Sequence, residues 1–227
     1  MLYFVVALLL TGSFGLAAYA RTKVQGTVRR YRQIPGRVGL SGKEVAEYVL
    51  QAGGASGVEI QQTEGFLSDH YDPRQRVLRL SADVYEGRDL AAFGIAAHEA
   101  GHAIQHATGY SLLGLRSLTA PLASLGSTLG IPLALFGVGL RSIPLTMVGL
   151  SLFALVVVFQ LITLPVELDA SRRAVELLRG SGLIETSEEE VGVRSVLSSA
   201  ALTYLAAAAS GIASLAHFAL RLFGRRF

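Results

Sequence analysis

Residues 98–102, HEAGH, place two histidines four positions apart with a glutamate directly after the first. On an α-helix, residues four apart lie on one face, so His98 and His102 can direct ring nitrogens at one Zn²⁺ ion. Glu99 lies about 100° further round the helix, where it reaches a water at the metal rather than the metal itself. This spacing is typical of a zinc-peptidase helix, with the two histidines as ligands and Glu99 as catalytic general base.

A third histidine continues the same spacing. His106 lies about 12 Å along the helix axis from His98, so one tetrahedral zinc cannot bind all three side chains. It also lacks the longer, glycine-containing spacing that swings a third histidine back to the metal. We therefore predict that His106 ends the helix or supports a ligand through a hydrogen bond, and does not bind the metal.

The third ligand is expected among acids outside this helix, and Glu167 and Asp169 follow directly after a long apolar run. The two lie two positions apart on a helix predicted to end at Gly180, so they point to different faces. Asp169 shares its face with the charged residues Arg172, Arg173 and Glu176. Glu167 shares its face with Ala170, Ser171, Ala174 and Leu178, a packing surface where a carboxylate needs a partner. We predict Glu167 as the metal ligand and Asp169 as a surface or supporting residue. The alternative is that Glu167 only caps the start of its helix.

The composition sets the environment of this chemistry. The 227 residues are 51% hydrophobic and 16% charged, against about 25% charged for a soluble domain. Cysteine is absent, which excludes disulfides and thiolate ligands and leaves histidine and carboxylates to bind a metal. The net charge of +3 comes from basic residues beside apolar runs. No nucleic-acid motif accompanies them, so the predicted partner is a lipid membrane and not nucleic acid.

Apolar runs predict three or four membrane spans. Residues 2–19 carry no charge and are followed by seven basic residues and no acid through Lys43. This indicates an uncleaved anchor with its N-terminus outside, the alternative being a cleaved signal peptide. Residues 117–166 carry one charge, Arg141, and predict a hairpin of two spans, about 120–140 and 145–164. The alanine-rich segment 197–220 is either a fourth span or a helix that packs against the catalytic region or lies in the interface.

These runs divide the chain into five parts. They are an anchor (1–20), an α+β region with the zinc helix (21–117), a transmembrane hairpin (118–164), a helix with the third ligand (165–196), and an apolar helix with a basic tail (197–227). Positive charge predicts that regions 21–117 and 165–196 face the cytoplasm, in a multi-pass protein of the cell membrane.

A capping box at Ser41 opens one helix, and Asp89 can cap the zinc helix, which we expect to run to about Ala107. Short strands are predicted at 57–62 and 76–81, joined by a turn-rich loop at 69–73, and 76–80 is either an edge strand that pairs with substrate or an ordinary strand.

The segments HEAGHAIQHATGY and LPVELDASRRAVELL, with SDHYDP before them, resemble the bacterial membrane neutral zinc metallopeptidases of the YugP type. With the flanking spans, the resemblance covers nearly the whole chain. More distantly, HEAGH with a later Glu-x-x-Ala is similar to the gluzincin membrane proteases, such as HtpX and the prenyl-protein endopeptidases. The resemblance implies one Zn²⁺ per chain, with His98, His102 and Glu167 as ligands and Glu99 as base. The gluzincin relatives usually carry aspartate where this chain has Ser171. Ser171 therefore departs from the pattern, and it is a candidate only for a residue that supports a ligand or the transition state.

These observations together predict a mainly α integral membrane protein with three or four transmembrane helices and a small α+β, zincin-like (gluzincin) catalytic region. The expected activity is that of a membrane-bound zinc metalloendopeptidase, acting on peptide or protein substrates that include membrane or unfolded proteins. Tyr204 is a candidate oxyanion donor by residue type alone.

One alternative function is that of a site-2-type intramembrane protease with Asp169 as ligand, although Ala170 follows where that motif has glycine. The other is a non-proteolytic zinc-binding scaffold. The sequence indicates neither the oligomeric state nor the cleavage preference.

Overall fold

The structure is a computed structural model that describes residues 2–223, with the side chains of all of these except residues 2–7, 9, 10 and 221–223. The described chain is mainly helical and contains one small sheet. Its elements, in chain order, are α1 (Leu2–Tyr31), α2 (Gly42–Ala52), β1 (Glu59–Thr63), β2 (His70–Asp72), β3 (Val77–Ser81), α3 (Ala82–Tyr85), α4 (Leu90–Ala107), α5 (Ser111–Leu125), α6 (Ile131–Gly139), α7 (Ile143–Gly180) and α8 (Ser187–Phe223). A five-residue π-helical segment, Gly126–Gly130, joins α5 to α6.

The chain forms two compact units. One contains the residues up to Arg21, Gly114–Pro165 and the residues from Leu202 onward; the other contains Thr22–Leu113 and Val166–Ala201. The first unit holds the predicted membrane hairpin, and the second holds the predicted metal ligands. Helices α1, α5, α7 and α8 each contribute residues to both units.

Glycines hold the hairpin of the first unit together. A Cβ at Gly130 would lie 2.9 Å from the backbone nitrogen of Phe153, and a Cβ at Gly137 would lie 2.5 Å from that of Thr146. Helices in lipid associate by close packing, because burial of apolar side chains gives no advantage there, and small residues allow that approach. The turn between α6 and α7 lies at residues 140–142, with Arg141 at a positive φ of 54°.

Three helical segments among the described residues are long and apolar enough to cross a membrane: Ser111–Gly139, Ile143–Gly180 and Ser187–Leu220. These confirm a mainly helical protein with three candidate spans, and they include the alanine-rich segment. We take the uncharged residues 143–166 as the spanning part of α7. The predicted first span is the beginning of α1, but Met1 and most side chains of its first half lie outside the described residues, so that span stays a prediction.

The second unit packs helices against a three-stranded sheet. The strand order is β1-β3-β2, with β1 parallel and β2 antiparallel to β3. Its core lies between α2, α4, β3 and the parts of α7 and α8 that belong to this unit, and its largest fully buried side chain is Phe93. The predicted capping box at Ser41 is confirmed, since Ser41 accepts from the backbone of Glu44 and the Glu44 side chain accepts from the backbone of Ser41.

The sheet corrects one sequence-based expectation and decides between two alternatives for another segment. The segment 69–73 is not only a loop, because it contains β2, which pairs with β3 through His70↔Arg79 and Asp72↔Val77. Asp69 stabilises the start of this pairing by accepting hydrogen bonds from the backbone nitrogen of Ser81 at 2.7 Å and from its hydroxyl. Segment 76–80 is therefore no edge strand, because β3 has a neighbour on both sides.

The helices also run further than the sequence suggested. Glu167 was expected near the start of a new helix, but α7 begins at Ile143 and continues without a break to Gly180. Glu167 thus lies in the middle of a 38-residue helix, which removes the alternative that it caps a helix start. The segments 187–196 and 197–220 likewise form one continuous helix, α8.

Candidate metal centre

Helix α4 presents the two histidines on one side. Its N-cap is Asp89, whose carboxylate accepts from the backbone nitrogen of Ala92 at 2.9 Å, as the sequence predicts. The helix continues through Ala107, so His98 and His102 are separated by one regular turn. Their ring centroids are 4.8 Å apart and the rings are nearly perpendicular.

Helix α7 brings Glu167 to the same point. The Glu167 carboxylate oxygen Oε2 lies 3.1 Å from Nε2 of His98 and 3.6 Å from Nε2 of His102. One donor atom from each of the three residues lies within 4.8 Å of the others, and Glu167 is only 3% exposed. Among the described residues, this is the one group of three or more His, Asp and Glu side chains that meets such a spacing.

Glu167 points inward together with the other residues on its face of α7. Ala170, Ala174 and Leu178, which share its face of α7, are fully buried. Burial by itself raises the pKa of the Glu167 carboxyl, but hydrogen bonds and charge from His102 and His98 lower it well below its usual range. The side chain is therefore a buried carboxylate anion beside two imidazoles.

The Nδ1 atom of each imidazole has a hydrogen-bond partner. Nδ1 of His98 lies 3.1 Å from the hydroxyl of Ser171, and Nδ1 of His102 lies 3.0 Å from the amide oxygen of Gln105. Both Nε2 atoms face the Glu167 carboxylate instead. Two imidazole nitrogens and one carboxylate oxygen form the three-ligand set of catalytic zinc sites, which leave a fourth position for water or substrate. The residues present therefore fit zinc.

Asp169 does not belong to this group of donors. Its carboxylate accepts hydrogen bonds from Gln105, Arg172 and Arg173. Burial alone raises the pKa of Asp169, but these hydrogen bonds from Gln105, Arg173 and Arg172 lower it below its usual range. The ion pairs with Arg172 and Arg173, and an exposed fraction of only 13% for the Asp169 side chain, favour the supporting role over the surface role that the sequence also allowed.

Glu99, the predicted base, follows His98 on α4 and is partly exposed. It is adjacent in sequence to a ligand candidate and partly accessible to solvent, as a residue that handles a water must be. Its catalytic role stays a prediction.

The remaining sequence candidates lie elsewhere. His106 is exposed at the end of α4, where its Nδ1 lies 2.8 Å from the hydroxyl of Tyr71. The two line a cleft of ≈ 350 Å³ beside the 54–58 loop, and His106 is not one of the converging donors. Tyr204 lies in α8 within the first unit and is partly buried, and its suggested role as oxyanion donor stays a prediction.

Gln105 is the residue that sequence reasoning missed. It is completely buried and joins His102 to both Val166 and Asp169. The sequence does contain a signal for it. Gln105 is the one uncharged amide in the run AIQHA, three positions after His102, and a buried polar side chain at that spacing needs a partner on the same face.

Residues 5–223 match a family model described as "Putative neutral zinc metallopeptidase". The chain belongs to this family. The match extends over both units of the chain and includes α4 and α7, which carry the three converging side chains.

A curated relative of this chain is the "Putative membrane protease YugP" of Bacillus subtilis (strain 168). The two are 41% identical over 208 residues, which is 92% of each chain. No solved structure shows a significant match to the chain. Family membership, the membrane protease relative and the three apolar helices together show a membrane protein of a zinc metallopeptidase family.

Proposed function

We propose that this chain is a membrane-bound zinc endopeptidase whose active centre is formed by His98, His102, Glu167 and Glu99. The observation that carries the proposal is the convergence of Nε2 of both histidines on the Glu167 carboxylate, at 3.1 and 3.6 Å. A site that only stabilises the fold is normally closed by four protein ligands, whereas three ligands leave a position for chemistry. A partly exposed glutamate directly after His98 on α4 supports a hydrolytic role.

The proposed mechanism assigns one task to each group. Zinc, when bound, acidifies a water and polarises the carbonyl of the scissile peptide bond. Glu99 accepts the proton of the water and delivers it to the leaving amine, so that no strong base or acid is released. Glu167 offsets the metal's charge, and Ser171 and Gln105 hold the two imidazoles in place through their Nδ1 atoms.

The positions of the acids argue against an intramembrane protease of the site-2 type, which requires Asp169 at the metal. The Asp169 carboxylate is engaged by two arginines, with Arg173 at 2.6 Å. Glu167 lies just beyond the uncharged part of α7, in the unit that also contains the sheet. This supports substrates that are reached at the membrane surface, such as membrane or unfolded proteins, rather than peptide bonds in the middle of the bilayer.

The test of the activity is a comparison of the wild type with Glu99→Gln, which keeps the shape of the side chain and removes the base. Mass spectrometry identifies the new protein termini that cleavage creates in cells expressing the wild type or Glu99→Gln. Zinc content is measured on both purified proteins. Glu86→Gln, a change at an exposed glutamate outside the site, is the matched control.

We expect new termini with the wild type and with Glu86→Gln, and a loss of at least about 100-fold with Glu99→Gln while zinc stays bound. If Glu99→Gln produces the same termini as the wild type, or the wild type produces none, the endopeptidase proposal is wrong. The second result would favour the zinc-binding scaffold.

We further propose that the second unit faces the cytoplasm, because the seven basic residues from Arg21 to Lys43 are accompanied by no acid. The absence of cysteine allows a direct test with single-cysteine variants. Ser56→Cys places a thiol on the second unit and Arg141→Cys places one in the hairpin turn, both at exposed positions. In intact cells, a membrane-impermeant maleimide should label only Arg141→Cys. Labelling of Ser56→Cys instead would reverse the orientation.

A further inference from the structure

Gln105 is unusual among the polar residues around the proposed metal centre, because its side chain is completely buried and fully engaged. Its amide oxygen Oε1 lies 3.0 Å from Nδ1 of His102. Its amide nitrogen Nε2 donates to the backbone carbonyl oxygen of Val166 at 2.8 Å and to Oδ2 of Asp169 at 2.9 Å. One side chain of α4 thus connects a predicted ligand to two points on α7.

The chemistry of these neighbours fixes the orientation of the amide. A carbonyl oxygen and a carboxylate oxygen only accept hydrogen bonds, so they must face the two N–H groups of Gln105. The reversed amide would place its oxygen against both acceptors and leave two buried repulsive contacts. The oxygen of Gln105 therefore faces His102, and there it can only accept a hydrogen bond from Nδ1.

This orientation determines the tautomer of His102. A neutral imidazole carries its proton on one nitrogen only, and the acceptor at Nδ1 selects the form protonated at that atom. The lone pair then lies on Nε2, the atom that faces Glu167 at 3.6 Å. Gln105 thereby prepares His102 for metal binding without any contact to the metal.

Asp169 anchors Gln105 from the other side. Its carboxylate accepts from Arg172 at 2.5 Å and from Arg173 at 2.6 Å, so its charge is matched and its position is held. A neutral residue at position 169 would give the Gln105 amide a weaker acceptor. The contacts run from the two arginines through Asp169 and Gln105 to His102.

We propose that Gln105 is a positioning residue that sets the tautomer and ring orientation of His102, with Asp169 as its anchor. The proposal rests on the metal centre of the proposed function. It adds a residue outside the converging group, and it gives Asp169 a role that is neither a ligand nor a surface charge. Supporting residues of this kind typically change metal affinity by about 10- to 100-fold.

The test measures zinc affinity of the full-length protein by competition with a chelating dye, so it does not depend on cleavage of any substrate. Gln105→Leu keeps similar bulk and removes all three hydrogen bonds, and we expect zinc affinity to fall about 10- to 100-fold. Gln51→Leu, at an exposed position of α2, is the matched control and should not change it. The thermal melt of each metal-free protein shows separately whether the fold is intact.

A pair of charge variants separates positioning from simple space-filling. Gln105→Glu keeps an acceptor for His102 but places a carboxylate against Asp169 and the Val166 carbonyl, so zinc affinity should fall. Adding Asp169→Asn supplies an amide that donates to the new carboxylate, and zinc affinity should recover at least in part. A residue that only filled space would show no such recovery.

The outcomes distinguish this inference from the proposed function. Unchanged zinc affinity in Gln105→Leu, or no recovery in the double variant, would overturn the role of Gln105 while leaving the endopeptidase intact. If the Gln105 variants change zinc affinity as expected but the wild type cleaves no protein, only the endopeptidase proposal is overturned. If the wild type binds no zinc, both proposals fail.

Discussion

Gly101 of α4 and Ala170 of α7 bring the two ligand-bearing helices into backbone contact. A Cβ at Gly101 would lie 2.8 Å from the carbonyl oxygen of Ala170 and 3.3 Å from its Cα. Gly101 directly precedes His102, and Ala170 lies three residues after Glu167. The distance between these two residues therefore controls how closely the histidines approach the carboxylate.

The first prediction concerns this contact. Gly101→Ala must push α7 away from α4, because the obstructing atoms belong to backbone. We expect about 1–3 kcal/mol of destabilisation and weaker zinc binding, measured by denaturant unfolding and chelator competition. Gly94→Ala on the same helix is the control, since its nearest contact would be Val193 at an ordinary 3.5 Å. Equal effects of the two changes would contradict the proposed role of the helix contact.

The second prediction concerns Ser171, whose hydroxyl lies 3.1 Å from Nδ1 of His98. Ser171→Ala leaves this nitrogen without its partner in a partly buried position. Zinc affinity should fall about 10-fold or more, whereas Ser198→Ala, at an exposed position of α8, should leave it unchanged. If Ser171→Ala leaves zinc affinity unchanged, the serine that stands in place of the gluzincin aspartate does not support His98.

The third prediction separates the two acids of α7. Glu167→Gln replaces a converging carboxylate with a neutral amide, so the zinc content of the purified protein should fall from one per chain to near zero. Asp169→Asn should retain the metal at saturating zinc, because Asp169 acts only through Gln105. Elemental analysis of both variants shows which of the two acids binds the metal. Loss of zinc only in Asp169→Asn would restore the intramembrane-protease assignment.

The fourth prediction concerns metal removal. A ligand that binds only the folded state stabilises it by about 2.7 kcal/mol at 100 times its dissociation constant, so a chelator should lower the stability of the second unit. Hydrogen exchange should increase most around residues 98–106 and 166–171, where a buried carboxylate loses its metal. Helix α2 makes no contribution to the centre and provides the internal reference. Identical exchange with and without chelator would argue against a bound metal.

The fifth prediction concerns acid pH and the capping box of α2. The backbone hydrogen bond from Ser41, at 2.6 Å, is the main cause of the lowered pKa of the Glu44 carboxyl. Because its folded-state pKa is below the ordinary value of 4.5, Glu44 stabilises the fold above that pH and loses this effect as the pH falls further. Gln at this position keeps the capping box without a titratable group. The stability difference between wild type and Glu44→Gln, followed by denaturant unfolding, should therefore shrink towards low pH.

The sequence by itself determined features that depend on local periodicity. The four-residue spacing of His98 and His102 placed both on one face of α4, and the faces of α7 separated the inward Glu167 from the charged Asp169. Capping residues set the starts of α2 and α4, and uncharged runs marked the apolar helices. Each of these follows from helix geometry or from composition within about twenty residues.

Only the tertiary structure decided which residues support the centre. Ser171 and Gln105 become partners of the two Nδ1 atoms because α4 and α7 meet at Gly101 and Ala170, and no local pattern states that these helices are neighbours. The same limit explains why the sequence left segment 76–80 open between an edge strand and an ordinary strand. A strand is central or at an edge according to its partners, and β2 was too short to be recognised as one of them. Local sequence fixes the direction of a side chain relative to its own helix or strand, whereas its partner depends on how distant parts of the chain pack together.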